Sequence, residues 1–136
     1  MSAKFLVVDD QADIRSLVQE ILRGYGCDCE LAESGQEALS KLSSPEQAAC
    51  FDAILLDTTL PGLDGYQVLE RLKHQLHTSE IPVILLSESD EGEEIIKGYA
   101  QGADYLLLKP FTHGQIAYGL DVVFSEEESD QKVFEL

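Results

Sequence analysis

The chain has 136 residues, 44% of them hydrophobic and 26% charged, which suits one globular domain with a single site and excludes a large multidomain enzyme. Nine Lys plus Arg stand against 26 Asp plus Glu, a net charge of −17, and such a surface repels phosphate backbones and anionic lipid, so no nucleic-acid or membrane partner is expected. No apolar run approaches the ~20 residues of a membrane span, the N-terminus is not a signal peptide, and Cys27, Cys29 and Cys50 form neither a C-x-x-C pair nor a zinc pattern; buried free thiols in a reducing cytoplasm are the expectation.

In chain order, Phe5-Leu6-Val7-Val8 reads as a strand buried on both faces. Ile14, Leu17, Val18, Ile21 and Leu22 then fall on one stripe of a helix that Gly24 and Gly26 end. Cys27 to Ala32 alternates like an edge strand, with Cys27, Cys29 and Leu31 on one side. Ser34 to Glu37 has the form of a capping box and opens a second helix that Ser43-Ser44-Pro45 stops. Ala53 to Leu56 is the third strand and Gly65 to His74 the third helix. Pro82 to Leu86 is the fourth strand, followed by a helix over Glu93 to Gln101 carrying Ile95, Ile96, Tyr99 and Ala100. Tyr105 to Leu108 is the fifth strand, and a box from Thr112 to Gln115 starts the last helix.

Five strand–helix pairs predict an α/β fold: a parallel sheet, doubly wound with five helices, flavodoxin-like, for which right-handed crossovers favour the order 2-1-3-4-5. Ligands of such sheets bind outside the carboxyl ends of the strands. Strand one ends in Asp9-Asp10, strand three in Asp57, strand four in Ser87 and strand five in Lys109-Pro110. Three carboxylates against one ammonium leave two negative charges, which suit a divalent cation. Hard oxygen donors with no His or Cys among them select Mg²⁺ or Mn²⁺ over zinc. A phosphoryl group could then be gripped by Lys109 and accept a hydrogen bond from Ser87. A flavin or nucleotide binder of this fold would instead want glycines and hydroxyls after the first strand, where this chain has two carboxylates that repel phosphate.

Asp9-Asp10, Asp57 followed by Leu60-Pro61 and Asp64-Gly65, Ser87, Gly102-Ala103-Asp104 and Lys109-Pro110-Phe111, in that order and at those intervals, resemble the receiver domain of two-component response regulators, the CheY-like family, over residues 4–124. The resemblance implies that Asp57 is the phosphoacceptor for a phosphohistidine on a sensor histidine kinase or phosphotransfer protein. It implies that Asp10 binds Mg²⁺ directly and Asp9 largely through water, with Asp57 and the backbone carbonyl of Thr59 completing the protein ligands. Lys109 would hold the phosphoryl oxygen, Ser87 would move toward it, and Pro110 would follow a cis peptide bond. The product would be a switch in protein contacts, made by a signalling module rather than an enzyme acting on a separate substrate.

One position departs from the family pattern. Where family members usually carry a Tyr or Phe three residues before the lysine, this chain has Leu106, with Tyr105 shifted to the opposite face of the strand. A degenerate receiver that docks without phosphorylation is the alternative this leaves. The acidic run Glu88 to Glu94 reads as charging a helix N-terminus, with a docking patch for a basic partner as the second reading. Residues 1–124 are expected to form the receiver, and 125–136 an acidic C-terminal tail or the start of a linker.

Overall fold

The apolar runs are too short for helices and too continuous for half-exposed strands, so burial between two helical layers is what they can satisfy. The computed structural model describes residues 3–125 and places them so. Strands β1 (Lys4–Val8), β3 (Ala53–Asp57) and β4 (Val83–Ser87) occupy the middle of a sheet whose edges are β2 (Asp28–Ala32) and β5 (Tyr105–Leu108). All pairings are parallel and the order is β2-β1-β3-β4-β5, the arrangement the sequence predicts. Six helices connect them: α1 (Ala12–Gly24), α2 (Gly35–Lys41), α3 (Pro45–Ala48), α4 (Gly65–His74), α5 (Gly92–Ala100) and α6 (His113–Ser125).

Alternation along each strand divides the core in two. Leu6, Val8, Ile54, Leu56 and Leu85 meet Ala38, Leu42, Val68, Leu69 and Leu72 from α2, its C-cap and α4. Phe5, Val7, Leu55, Ile84 and Leu86 meet Val18, Ile21, Leu22, Ile116, Leu120 and Val123 from α1 and α6. Each fully buried Leu, Ile or Val of these layers contributes roughly 1.5–3 kcal/mol of transfer free energy. None of the described helices is long and apolar enough to cross a membrane.

Capping explains the helix boundaries. Ser34 accepts from the Glu37 N–H, while the Glu37 carboxylate reaches Glu33 N–H and not Ser34, so the reciprocal box is only half formed. Thr112 and Gln115 exchange both bonds, as do Asp64 and Gln67 at the start of α4. Gly26 takes a left-handed φ of 79° as α1 ends, which only glycine accepts without strain.

Two expectations need correction. Pro45 does not stop the chain: Ser44 caps the Gln47 N–H and Pro45, whose missing donor is harmless in a first turn, opens the one-turn α3. No cysteine is buried; Cys50 is exposed and Cys27 and Cys29 are half-covered at the sheet edge. Of the apolar residues of α5, Ile96 is 68% and Tyr99 44% exposed. The tail expected over 125–136 lies, apart from Ser125, outside the described residues.

Gly65 ties α4 to the sheet rim. A Cβ there would stand 2.1 Å from the Asp57 carbonyl oxygen and 2.6 Å from Thr58 Cα, both backbone atoms that cannot step aside. Gly65→Ala should therefore lower the unfolding free energy by about 2 kcal/mol or more, the upper part of the overpacking range. Urea titration against Gly92→Ala, where a Cβ meets nothing within 4 Å, separates this clash from loss of glycine itself.

Candidate functional site

Register brings the functional side chains to one rim. Val8 pairs with Leu56, Asp57 with Leu86 and Ser87 with Leu108, so the residues that follow β1, β3 and β5 emerge side by side at the carboxyl edge. The β1–β3 boundary is where the chain order reverses, and the strand ends separate there into a crevice.

Carboxylate oxygens of Asp9, Asp10 and Asp57 lie within 4.8 Å of one another. Asp9 and Asp57 are buried and Asp10 is exposed. Lys109 crosses from the end of β5 and places Nζ 2.8 Å from Asp9 Oδ2 and 3.4 Å from Asp57 Oδ1. The Gln11 N–H donates to Asp9 Oδ1 at 2.9 Å and the Thr59 N–H to Asp57 Oδ1 at 3.1 Å. Both oxygens of Asp9 are thus engaged. On Asp57 both contacts fall on Oδ1, and Oδ2 carries neither. A cavity of about 120 Å³ lies against Asp57, bounded by Asp10, Gln11, Thr59, Glu88 and Lys109.

Burial, and after it the Asp9 charge, push the Asp57 carboxyl up to about 6, against the Thr59 N–H and Lys109, which pull it down. Burial acts to lower the Lys109 ammonium but is outweighed by its bond to Asp9 and the charges of Asp57 and Asp9, so it lies above the ordinary lysine value. The site is electrostatically unfinished: one cation serves three carboxylates. Oxygen donors alone, with two negative charges uncompensated, fit Mg²⁺ or Mn²⁺ and offer zinc nothing it prefers.

Residues 5–120 match the model of the response regulator receiver domain. The chain belongs to that family. Among solved structures this receiver is similar to Vibrio cholerae chemotaxis protein CheY4, at 32% identity and TM-score 0.82, covering 90% of this chain and 99% of that one. The receiver domain of the Francisella response regulator 1452 is similar at 30% identity and TM-score 0.82, covering 93% and 99%. The phosphate regulon transcriptional regulatory protein PhoB of Escherichia coli strain K12 is 35% identical over 123 residues, 90% of this chain and 52% of that protein. The receiver therefore spans about half the length of the curated relatives it matches. The carboxylate cluster is consistent with the Mg²⁺ site of a receiver.

Not every residue singled out in the sequence meets at the cavity. Asp10, Asp57, Thr59 and Lys109 do, Asp9 is fully buried and reaches the site through its bond to Lys109, and the Lys109–Pro110 peptide bond is cis. Ser87 is buried beside them, but its hydroxyl accepts from the Ser89 N–H at 3.1 Å and faces the Ser89 carbonyl at 3.3 Å, closing a turn of its own loop. Leu106 packs on the α4 side of the sheet and Tyr105 on the other, its ring 6.1 Å from Tyr118 of α6. Alternation alone foretells that separation.

Sequence reasoning missed three contributors. Glu88 lines the cavity, so the first acid of the run serves the site, while Glu93 and Glu94 charge the first turn of α5. Gln11 supplies a backbone donor and so leaves no side-chain signal. Arg15 donates to the Asp9 carbonyl at 2.6 Å, holding the β1–α1 turn, and its place one turn into α1 was the signal available.

A carboxyl with a raised folded-state pKa weakens the fold as pH rises between its unfolded value of 3.8 and its folded value of about 6. Asp57→Asn removes that penalty. In metal-free buffer it should be more stable than wild type by on the order of 1–2 kcal/mol at about pH 7.5, with most of the gain gone near pH 4. Urea titrations at the two pH values check this, and equal stabilities at the higher pH would contradict it.

Proposed function

We propose that this receiver accepts a phosphoryl group on Asp57 from a phosphohistidine of a sensor histidine kinase or phosphotransfer protein, and that the modified domain changes its protein contacts. The observation that carries the reading is the state of Asp57: buried, short of compensating charge, with Lys109 and the Thr59 N–H both on Oδ1 and neither on Oδ2.

The chemistry follows from those contacts. Asp57 Oδ2 attacks phosphorus in line with the histidine nitrogen; the O–P bond forms as the N–P bond breaks, and the departing electron pair returns to the imidazole. Lys109 holds a phosphoryl oxygen and offsets the charge gathered there, as a point charge suited to that purpose. The Thr59 N–H keeps Oδ1 turned away, so the attacking oxygen is preselected and less orientational freedom is lost on encounter. Ser87 exchanges its bonds with Ser89 for one to the phosphoryl group. Asp9, Asp10, Asp57 and the Thr59 carbonyl would hold Mg²⁺ or Mn²⁺, which supplies the positive charge that lets an anionic donor approach. Lys109 already occupies one Asp9 oxygen, whereas Asp10 has no such tie, which supports Asp10 as the direct ligand and Asp9 as the one reached largely through water.

Receivers are signalling modules, and Asp57 is here both acceptor and reacting group, so transfer occurs once per molecule until hydrolysis. The cytoplasm is the compartment this reading assigns. The downstream target is a protein, and the name of the PhoB relative, a transcriptional regulatory protein, describes that longer protein.

Incubation with acetyl phosphate should add one phosphate-sized mass on Asp57 only when Mg²⁺ is present. Asp57→Ala should add none, and Lys109→Met should slow the reaction by ~10²-fold or more, as loss of a charge-stabilising donor does. A wild-type chain that gains no such mass from acetyl phosphate and a competent kinase would overturn the reading. By calorimetry Asp10→Asn should weaken Mg²⁺ binding more than Asp9→Asn does; equal affinities in all three proteins would remove the shared site.

A further inference from the structure

Gly98 is the buried residue of α5, and it has no side chain. Ile96 and Tyr99 face solvent, so little apolar burial fixes where this helix sits. A Cβ on Gly98 would lie 2.7 Å from Leu85 Cδ1, 3.7 Å from Leu106 Cδ1 and 3.8 Å from Tyr66 Cε1; α5 thus rests its backbone on a small floor made by those three side chains. Two of them are aliphatic and offer no directional contact.

Tyr66 differs. Its hydroxyl donates to the Glu94 carbonyl on α5 at 3.3 Å, and the Lys97 ammonium stands 4.4 Å from its ring centroid. Both contacts reach the first two turns of α5 from a side chain that is only 8% exposed. Burial and then the Glu94 contact push the phenol up to about 12, so it remains a donor through the physiological range. At its other end Tyr66 follows Gly65, whose N–H donates to the Thr58 carbonyl at 3.1 Å and which lies too near the Asp57 carbonyl to admit a Cβ. Tyr66 also borders a cleft of about 620 Å³ with Thr58, Thr59, Ser87, Ser89 and Lys97, the space into which the β4–α5 loop can move.

We propose that Tyr66 is the positioning residue through which the state of Asp57 sets the position of α5, its hydroxyl and ring carrying the contact that Leu106 cannot make. This rests on the phosphoacceptor reading above and names how that site is read out. When Ser87 leaves Ser89 for the phosphoryl group, the loop shortens on the cleft side and α5 slides over Tyr66, exchanging the Glu94 and Lys97 contacts together.

The test compares wild type, Tyr66→Phe, Tyr66→Leu and Lys97→Met as full chains, by amide chemical shifts with Mg²⁺ alone and with Mg²⁺ plus beryllofluoride. Mass spectrometry after acetyl phosphate follows acceptance at Asp57 in parallel. Tyr66→Phe keeps the ring and the fold and removes only the hydroxyl. All three variants should accept phosphate at wild-type rate and keep the beryllofluoride shifts of residues 57–59. The shifts of residues 92–98 should fall by about twofold or more in Tyr66→Leu, and partially in Tyr66→Phe and Lys97→Met, because a weaker differential contact moves a smaller population. Introducing Leu106→Tyr into Tyr66→Leu, which returns an aromatic hydroxyl to the same floor, should restore part of them. Wild-type shifts over 92–98 in the Phe and Leu variants would overturn the proposal while leaving the phosphoacceptor reading intact. No phosphate on wild-type Asp57 would overturn both.

Discussion

Everything at the carboxyl rim is arranged around one buried ammonium. Lys109 Nζ stands between Asp9 and Asp57, and without it two buried carboxylates would face each other with a third at the surface. Removing that ammonium would leave the carboxylates charged in a low-dielectric place with no counter-ion, a loss of roughly 3–5 kcal/mol. The bridge also spans the sheet, from the end of β1 through β3 to the end of β5, so it locks three strand ends into a shared geometry. A single cation holds the site together yet leaves it short of positive charge, and that shortfall is what a metal ion and a phosphoryl donor can exploit.

The backbone around this bridge is held more firmly on one side than on the other. Gly65 seats α4 directly on the Asp57 carbonyl, and Arg15 holds the Asp9 carbonyl from α1. On the other side, Ser87 and Ser89 close a turn with two weak bonds, above a cleft that is open to solvent. Helix α5 follows that turn with almost nothing buried. Contacts are therefore distributed unevenly, many beneath Asp9 and Asp57 and few beyond Ser87, the distribution that the proposed switch in protein contacts would use.

The strands and their order were legible because continuous apolar runs bounded by turns have few other ways to be buried, and the site was legible because Asp9-Asp10, Asp57, Ser87 and Lys109 each follow such a run. The packing of α5 was not legible, because the residue it buries is Gly98, which has no side chain to show in an apolar pattern, while Ile96 and Tyr99 are exposed. Pro45 was ambiguous for a related reason: proline ends one helix and begins another equally well, and only the Ser44 cap decides. Contacts made by backbone N–H groups, such as Gln11 and Thr59, have no residue signature at all. Tyr66 was read only as part of a helix, because its partners are a carbonyl and an ammonium on a helix 28 residues away in sequence.

The proposed function requires Asp57 Oδ2 to be the reacting atom, with Lys109 and Ser87 both reaching the new phosphoryl group. A crystal structure of the full chain with Mg²⁺ and beryllofluoride tests it most directly. Beryllium bonded to Asp57 Oδ2, a fluorine within hydrogen-bond distance of Lys109 Nζ and of Ser87 Oγ, and the metal among the three carboxylates is the expected result. Beryllofluoride bound elsewhere, or bound at Asp57 with no fluorine within hydrogen-bond distance of Lys109 Nζ and Ser87 still closed on Ser89, would contradict the account.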